Sequence, residues 1–264
     1  MAASIEFGAS PEGVQGLALK RANRHGLIAG ATGTGKTVTL QVLAEAFARE
    51  GVNVFAADIK GDLSGCASVD TTPPAWAAAR AAEINIPIAP EAQPVVFWDV
   101  YGELGHPVRT TVTEMGPVLM GRVLEATDAQ AGALTIAFRL ADDWIKAGKN
   151  EGLLLDLNDL RALLTYISEN ADDIGKQYGL VTPQSIAALQ RKLLQLEMDG
   201  ADRFFGEPAF KLEELTRVRP DGKGTINVLA SERLVQSPRL YSAFLLWLMS
   251  ELWEELPEVG DLDK

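Results

Sequence analysis

Cysteine is almost absent: Cys66 stands alone among 264 residues. An internal disulfide is therefore excluded, and the chain reads as one from a reducing compartment. Histidine is nearly as scarce, with only His25 and His106. Two histidines and one cysteine, far apart in sequence, form no zinc signature. Long apolar runs are missing too. The longest bulky run, Phe244 to Met249, has six residues, far short of the roughly 18 that a membrane span requires. Met1 to Gly13 carries no basic region leading into an apolar stretch, so the expectation is no secretory signal and a cytoplasmic setting. Positive charge is in the minority, with 24 Lys and Arg against 36 Asp and Glu and a net charge of −12. That balance excludes a surface that holds nucleic acid by broad attraction, while leaving room for a local basic lining in a cleft or pore.

What is present is an ordinary globular composition, 47% hydrophobic and 23% charged, with length for one or two domains. One segment dominates it. Gly30-Ala31-Thr32-Gly33-Thr34-Gly35-Lys36-Thr37 follows the pattern G-x-x-x-x-G-K-[ST]. The glycines let successive backbone N–H groups turn toward phosphate oxygens. Lys36 is placed for the β- and γ-phosphates, and the Thr37 hydroxyl for Mg²⁺. A helix N-terminus at the same point adds its positive dipole end.

The flanks fit that reading. Gly26-Leu27-Ile28-Ala29 is a short apolar run suited to a buried parallel strand. Val38 to Arg49 has helical spacing, with Gly51 as its C-terminal cap. A second strand runs from Val52 to Ala57 and ends at Asp58, giving a right-handed βαβ unit. Residues 1–24 read as a lead-in with turns at Gly8, Pro11 and Gly13. Residues 61–93 read as irregular, with a short Ala-rich helix around Ala75 to Ala82. Pro94 to Asp99 reads as a third strand. From Glu114 to Leu215 the pattern is mostly helical, with caps at Thr127, at Asp156 or Asn158, and at Thr182-Pro183. Ile186, Leu189, Leu193, Leu194 and Leu196 define the apolar face of the last of these helices. Strand character returns at Gly224 to Ala230. A long apolar helix then starts at Ser237-Pro238 and is ended by Pro257 and Gly260.

Nucleotide hydrolysis requires an acid at the end of a neighbouring strand. Asp58 and Asp99 each end an apolar run, and each is either a magnesium-side group or an acid that satisfies loop N–H groups. Asp156 reads first as a helix cap. His25 reads as a packing or turn residue. His106, in the loop after the third strand, is a loop residue or one that faces the nucleotide. Cys66 reads as a small, partly buried loop residue.

The stretch from His25 to Thr37 resembles the nucleotide loop of the HerA/FtsK group of P-loop ATPases. Asp58-Ile59-Lys60-Gly61-Asp62-Leu63-Ser64-Gly65, Phe97-Trp98-Asp99-Val100, Gly105 to Thr111, Phe204 to Pro208 and Ser237 to Tyr241 are similar to its bacterial YjgR-type, HerA-like branch. The resemblance implies an α/β fold: a RecA-like P-loop NTPase parallel sheet with a mostly helical insertion. Its parts would be residues 1–113 as the first part of the core, 114–215 as the insertion and 216–264 as a return to the core. It also implies ATP and Mg²⁺ as cofactors, DNA as track, and hexameric rings. That branch is expected to continue past Pro257–Lys264 into an apolar strand ending in Asp-Glu-Ala-His. This chain therefore reads as an N-terminal portion that binds nucleotide with weak or no hydrolysis. Two other functions fit the residues. One is a small-molecule kinase with a helical lid; the other is a non-catalytic module whose nucleotide fixes an assembly.

Overall fold

The computed structural model describes residues 4–68, 72–86 and 91–256. The elements, in chain order, begin with β1 (Ser4–Ser10), β2 (Gly13–Ala18), α1 (Lys36–Arg49) and β3 (Val54–Asp58). Next come α2 (Ala75–Ile84), β4 (Val95–Asp99) and the two-residue β5 (His106–Pro107). A helical series follows: α3 (Val112–Val123), α4 (Asp128–Lys146), α5 (Leu157–Glu169), α6 (Ala171–Tyr178) and α7 (Pro183–Met198). The short α8 (Glu213–Thr216), β6 (Ile226–Ala230) and α9 (Pro238–Glu255) complete the set. The expected stops of α9 at Pro257 and Gly260 lie outside the described residues.

The chain forms two compact units. The first holds residues up to Trp98 together with Glu213–Glu232; the second holds Asp99–Leu212 and Arg233–Leu256. In the first, β6 runs parallel to both β3 and β4, with Val54 and Val95 each in register with Ile226. These strands belong to a four-stranded sheet of order β3-β6-β4-β5. The central strand is almost wholly buried, as its run Ile226-Asn227-Val228-Leu229 predicts for a parallel strand covered on both faces. Ile226 and Val228 pack with Ala44 and Ala48 of α1 and with Leu63 and Cys66. Helix α1 ends as Gly51 predicts. Gly51 has φ +81, its N–H donates to Ala48 O, and the Val52 N–H donates to Phe47 O. That pair of bonds is the Schellman arrangement, which an L-residue at Gly51 would strain.

Two expectations for this unit need correction. The run Gly26-Leu27-Ile28-Ala29 is not a strand, and Leu27 is 91% exposed. An apolar tetrapeptide becomes a strand only by pairing, and the places beside β6 are taken by β3 and β4. The element order here is loop, α1, β3 rather than a complete βαβ unit. Conversely, the lead-in is a hairpin. β1 and β2 pair antiparallel across Pro11-Glu12, with Gly13 at φ +125 and a bulge between Glu6 and Gly8. The turn expected at Pro11 and Gly13 thus closes a ladder, whereas Gly8 serves its bulge rather than a turn.

The second unit is helical, and its caps follow the sequence. Asp156 accepts from the N–H groups of Asn158 and Asp159 to start α5. Thr182 Oγ1 accepts from the Ser185 N–H to start α7, and Gln130 Oε1 accepts from the Thr127 N–H before α4. Ile186, Leu189, Leu193 and Leu196 are buried, whereas Leu194 is 53% exposed. Leu194 sits one position round the helix from Leu193, outside the apolar stripe. Helix α3 breaks at Gly116 (φ 69), and Pro117 starts its second segment. Phe204, Phe244 and Trp247 form an aromatic cluster with ring centroids 5.5 to 5.9 Å apart. No helix among the described residues is long and apolar enough to cross a membrane.

Candidate functional site

The segment Gly30–Thr37 lies in the first unit as an exposed to half-buried loop that runs directly into α1. Gly33 and Gly35 have φ of +81 and +90, the left-handed region that glycine enters without strain. A Cβ built at either would meet nothing within 4 Å. Backbone geometry therefore demands these two glycines, and the space beside them is open to a ligand. Gly30 is different, since a Cβ there would lie 2.5 Å from Thr34 Oγ1.

Helix α1 starts at Lys36 with Gly35 as N-cap. It has no side-chain cap and no acid in its first turn. Its leading N–H groups are thus left for an outside acceptor, with the dipole end unneutralised. Thr39 closes the first turn, donating from N (2.9 Å) and Oγ1 (3.1 Å) to Gly35 O. Lys36 Nζ donates to Gly30 O at 2.9 Å and to Ala31 O at 2.7 Å. The ammonium therefore lies across the mouth of its own loop. These residues fit a phosphate chain with Mg²⁺: backbone donors and a cation for the phosphates, the Thr37 hydroxyl for the metal.

The two strand-end acids have the same local use. Asp58 Oδ1 accepts from the N–H groups of Lys60 (3.1 Å) and Gly61 (3.0 Å), and Oδ2 from that of Leu63 (2.8 Å). Asp99 Oδ1 accepts from Tyr101 N (3.0 Å), and Oδ2 from Glu103 N and Leu104 N (both 2.9 Å). Each carboxylate is nearly buried and staples the loop that follows its strand. A carboxylate has about four lone-pair directions, so each acid retains about one. The Asp58 loop packs on α1, where Gln41 Nε2 donates to Asp62 O at 2.8 Å. That brings the Asp58–Gly65 segment against the helix that carries the phosphate loop. Asp99 belongs to the second unit.

The remaining candidates have other settings. His25 and His106 are both exposed, His106 within β5. Cys66 is 3% exposed, deeper than a partly buried loop residue. Burial first, and the negative charge of Glu45 second, push its thiol up to about 11, so it is an unreactive core side chain. The side-chain bonds of Thr34 were invisible in the motif, because that position admits any residue. Its Oγ1 donates to Ala31 O at 2.8 Å.

A G-x-x-x-x-G-K-[ST] loop on an uncapped helix beside a buried parallel sheet is shared by many proteins, and the wider sequence narrows the choice. Residues 6–264 match the family described as Helicase HerA-like C-terminal. The chain belongs to that family. Searches of curated proteins and of solved structures returned no match. Membership relates this HerA-like chain to motor ATPases, whose general requirements are nucleotide and magnesium and whose general partners are DNA and further subunits.

Proposed function

We propose that this chain is the ATP-binding module of a HerA-like motor ATPase of the YjgR-type branch, working in the cytoplasm with DNA as its track and hexameric rings as its assembly. Residues 114–215 are then its helical insertion. The backbone from Thr32 to Gly35 cradles the phosphates, Lys36 neutralises the β- and γ-phosphates, and the Thr37 hydroxyl holds Mg²⁺. Asp58 and Asp99 each have most of their lone pairs on loop amides, and neither is followed by a Glu that could orient an attacking water. For that reason we expect binding by these residues with slow turnover or none. The observation that carries the reading is the loop itself: two left-handed glycines and an ammonium at the uncapped start of α1.

The test is a titration of the purified chain with Mg-ATP, read by calorimetry, beside a phosphate-release assay. Saturable binding abolished by Lys36→Ala supports the proposal. Rapid hydrolysis that disappears in Lys36→Ala contradicts the slow-turnover part, and absence of binding contradicts the whole.

A further inference from the structure

We infer that the Thr34 hydroxyl is a positioning group that releases Lys36 from the loop when a phosphate arrives. The inference rests on the nucleotide-binding reading above and adds to it a role for the Thr34 side chain. Ala31 O is the focus of three donors: Thr34 N at 3.4 Å, Thr34 Oγ1 at 2.8 Å and Lys36 Nζ at 2.7 Å. Lys36 also holds Gly30 O at 2.9 Å. To reach a phosphate, the ammonium must leave both carbonyls, and bonds from a charged donor are the stronger kind.

A carbonyl abandoned by its donor is costly only if nothing replaces that donor, and a phosphate seated on this exposed loop would keep water from doing so. At Ala31 the replacement is already in place. The hydroxyl stays on Ala31 O after Lys36 departs, so only Gly30 O has to find a new partner. The notch that admits the hydroxyl is built by Gly30, since a Cβ there would stand 2.5 Å from Thr34 Oγ1. Thr34 therefore explains the first glycine of the motif here, whereas Gly33 and Gly35 are explained by φ.

Thr34→Val keeps the side chain's shape and β-branching and removes the donor. Thr34→Ser keeps the donor and removes the methyl. The full chain would be titrated with a fluorescent ATP analogue and Mg²⁺, and thermal unfolding of each variant followed without nucleotide. Loss of one neutral hydrogen bond predicts affinity weakened about three- to tenfold in Thr34→Val. Thr34→Ser should return within about twofold of the wild type by the same measure. All three should unfold together, because the loop is exposed.

Three results overturn the inference: a Thr34→Val affinity equal to wild type, a Thr34→Ser affinity as weak as that of Thr34→Val, or an unfolding midpoint that falls in step with affinity. Wild-type binding abolished by Lys36→Ala but untouched by Thr34→Val sinks this inference alone. Absence of wild-type binding sinks the nucleotide reading, and this inference with it.

Discussion

Replacing Asn227 by leucine will destabilise the chain by about 2–4 kcal/mol, and the loss will be shared with Trp98. Asn227 is the only polar residue in the buried run of β6, at 1% exposure, and Trp98 of β4 is 5% exposed. The indole N–H of Trp98 donates to Asn227 Oδ1 at 2.9 Å. Asn227 Nδ2 in turn makes three longer bonds, to Val54 O (3.3 Å), Leu215 O (3.4 Å) and Thr225 O (3.5 Å). Leucine matches the amide's shape but removes the Oδ1 acceptor that the buried indole N–H donates to, which costs about 1–3 kcal/mol. The three longer bonds lie at the weak end of the range and add about 1 kcal/mol together. Trp98→Phe removes that donor. The double variant should therefore be more stable than the sum of the single losses predicts, by about 1–2 kcal/mol. Urea unfolding of the four proteins in the cycle measures this coupling. A cost below about 0.5 kcal/mol for Asn227→Leu, or a coupling of zero, would refute the claim that this amide ties β4 and β6 together.

Three further outcomes follow from local geometry. Gly51→Ala should cost about 1–3 kcal/mol by urea unfolding, because φ is +81 and a Cβ would lie 2.8 Å from Gly222 O. Cys66 should react with a thiol reagent at pH 8 far more slowly in the native state than in urea, since its thiol is pushed up to about 11 by burial. Glu251 is raised above its ordinary value by burial first and by the Glu114 charge second, with Glu254 and Glu255 adding to it. A carboxyl that holds its proton more tightly in the fold loses stability as pH rises from its unfolded value through the raised one. Glu251→Gln should therefore stabilise the chain at pH 7 and give no gain at pH 4, with urea midpoints at the two pH values as the check.

Much of this architecture could be read along the chain wherever the cause is local. Asp156, Thr127 and Thr182 announce helix starts because a cap bonds within three residues. Gly51 announces a helix end because its left-handed φ is a property of one position. The strands β3, β4 and β6 stood out as apolar runs bounded by turn residues. Gly26–Ala29 has the same local pattern and is not a strand, because pairing is decided by distant segments. The hairpin β1–β2 was missed the other way: its turn residues stood out, but the flanking strands Ser4–Ser10 and Gly13–Ala18 lack an apolar run to announce their pairing. At the candidate site, the motif marked a candidate phosphate loop by position. It could not show that Asp58 and Asp99 are spent on amides two to five residues ahead, or that Thr34 and Lys36 meet on one carbonyl. Those facts depend on side-chain directions that spacing does not encode.

The central claim is that Gly30–Thr37 binds the phosphates of a nucleotide through its backbone and Lys36. Calorimetric titration of Mg-ATP into the purified chain and into Lys36→Ala tests it most directly. A saturable isotherm is expected for the first and a flat one for the second. Equal binding by both proteins, or none by either, would contradict it.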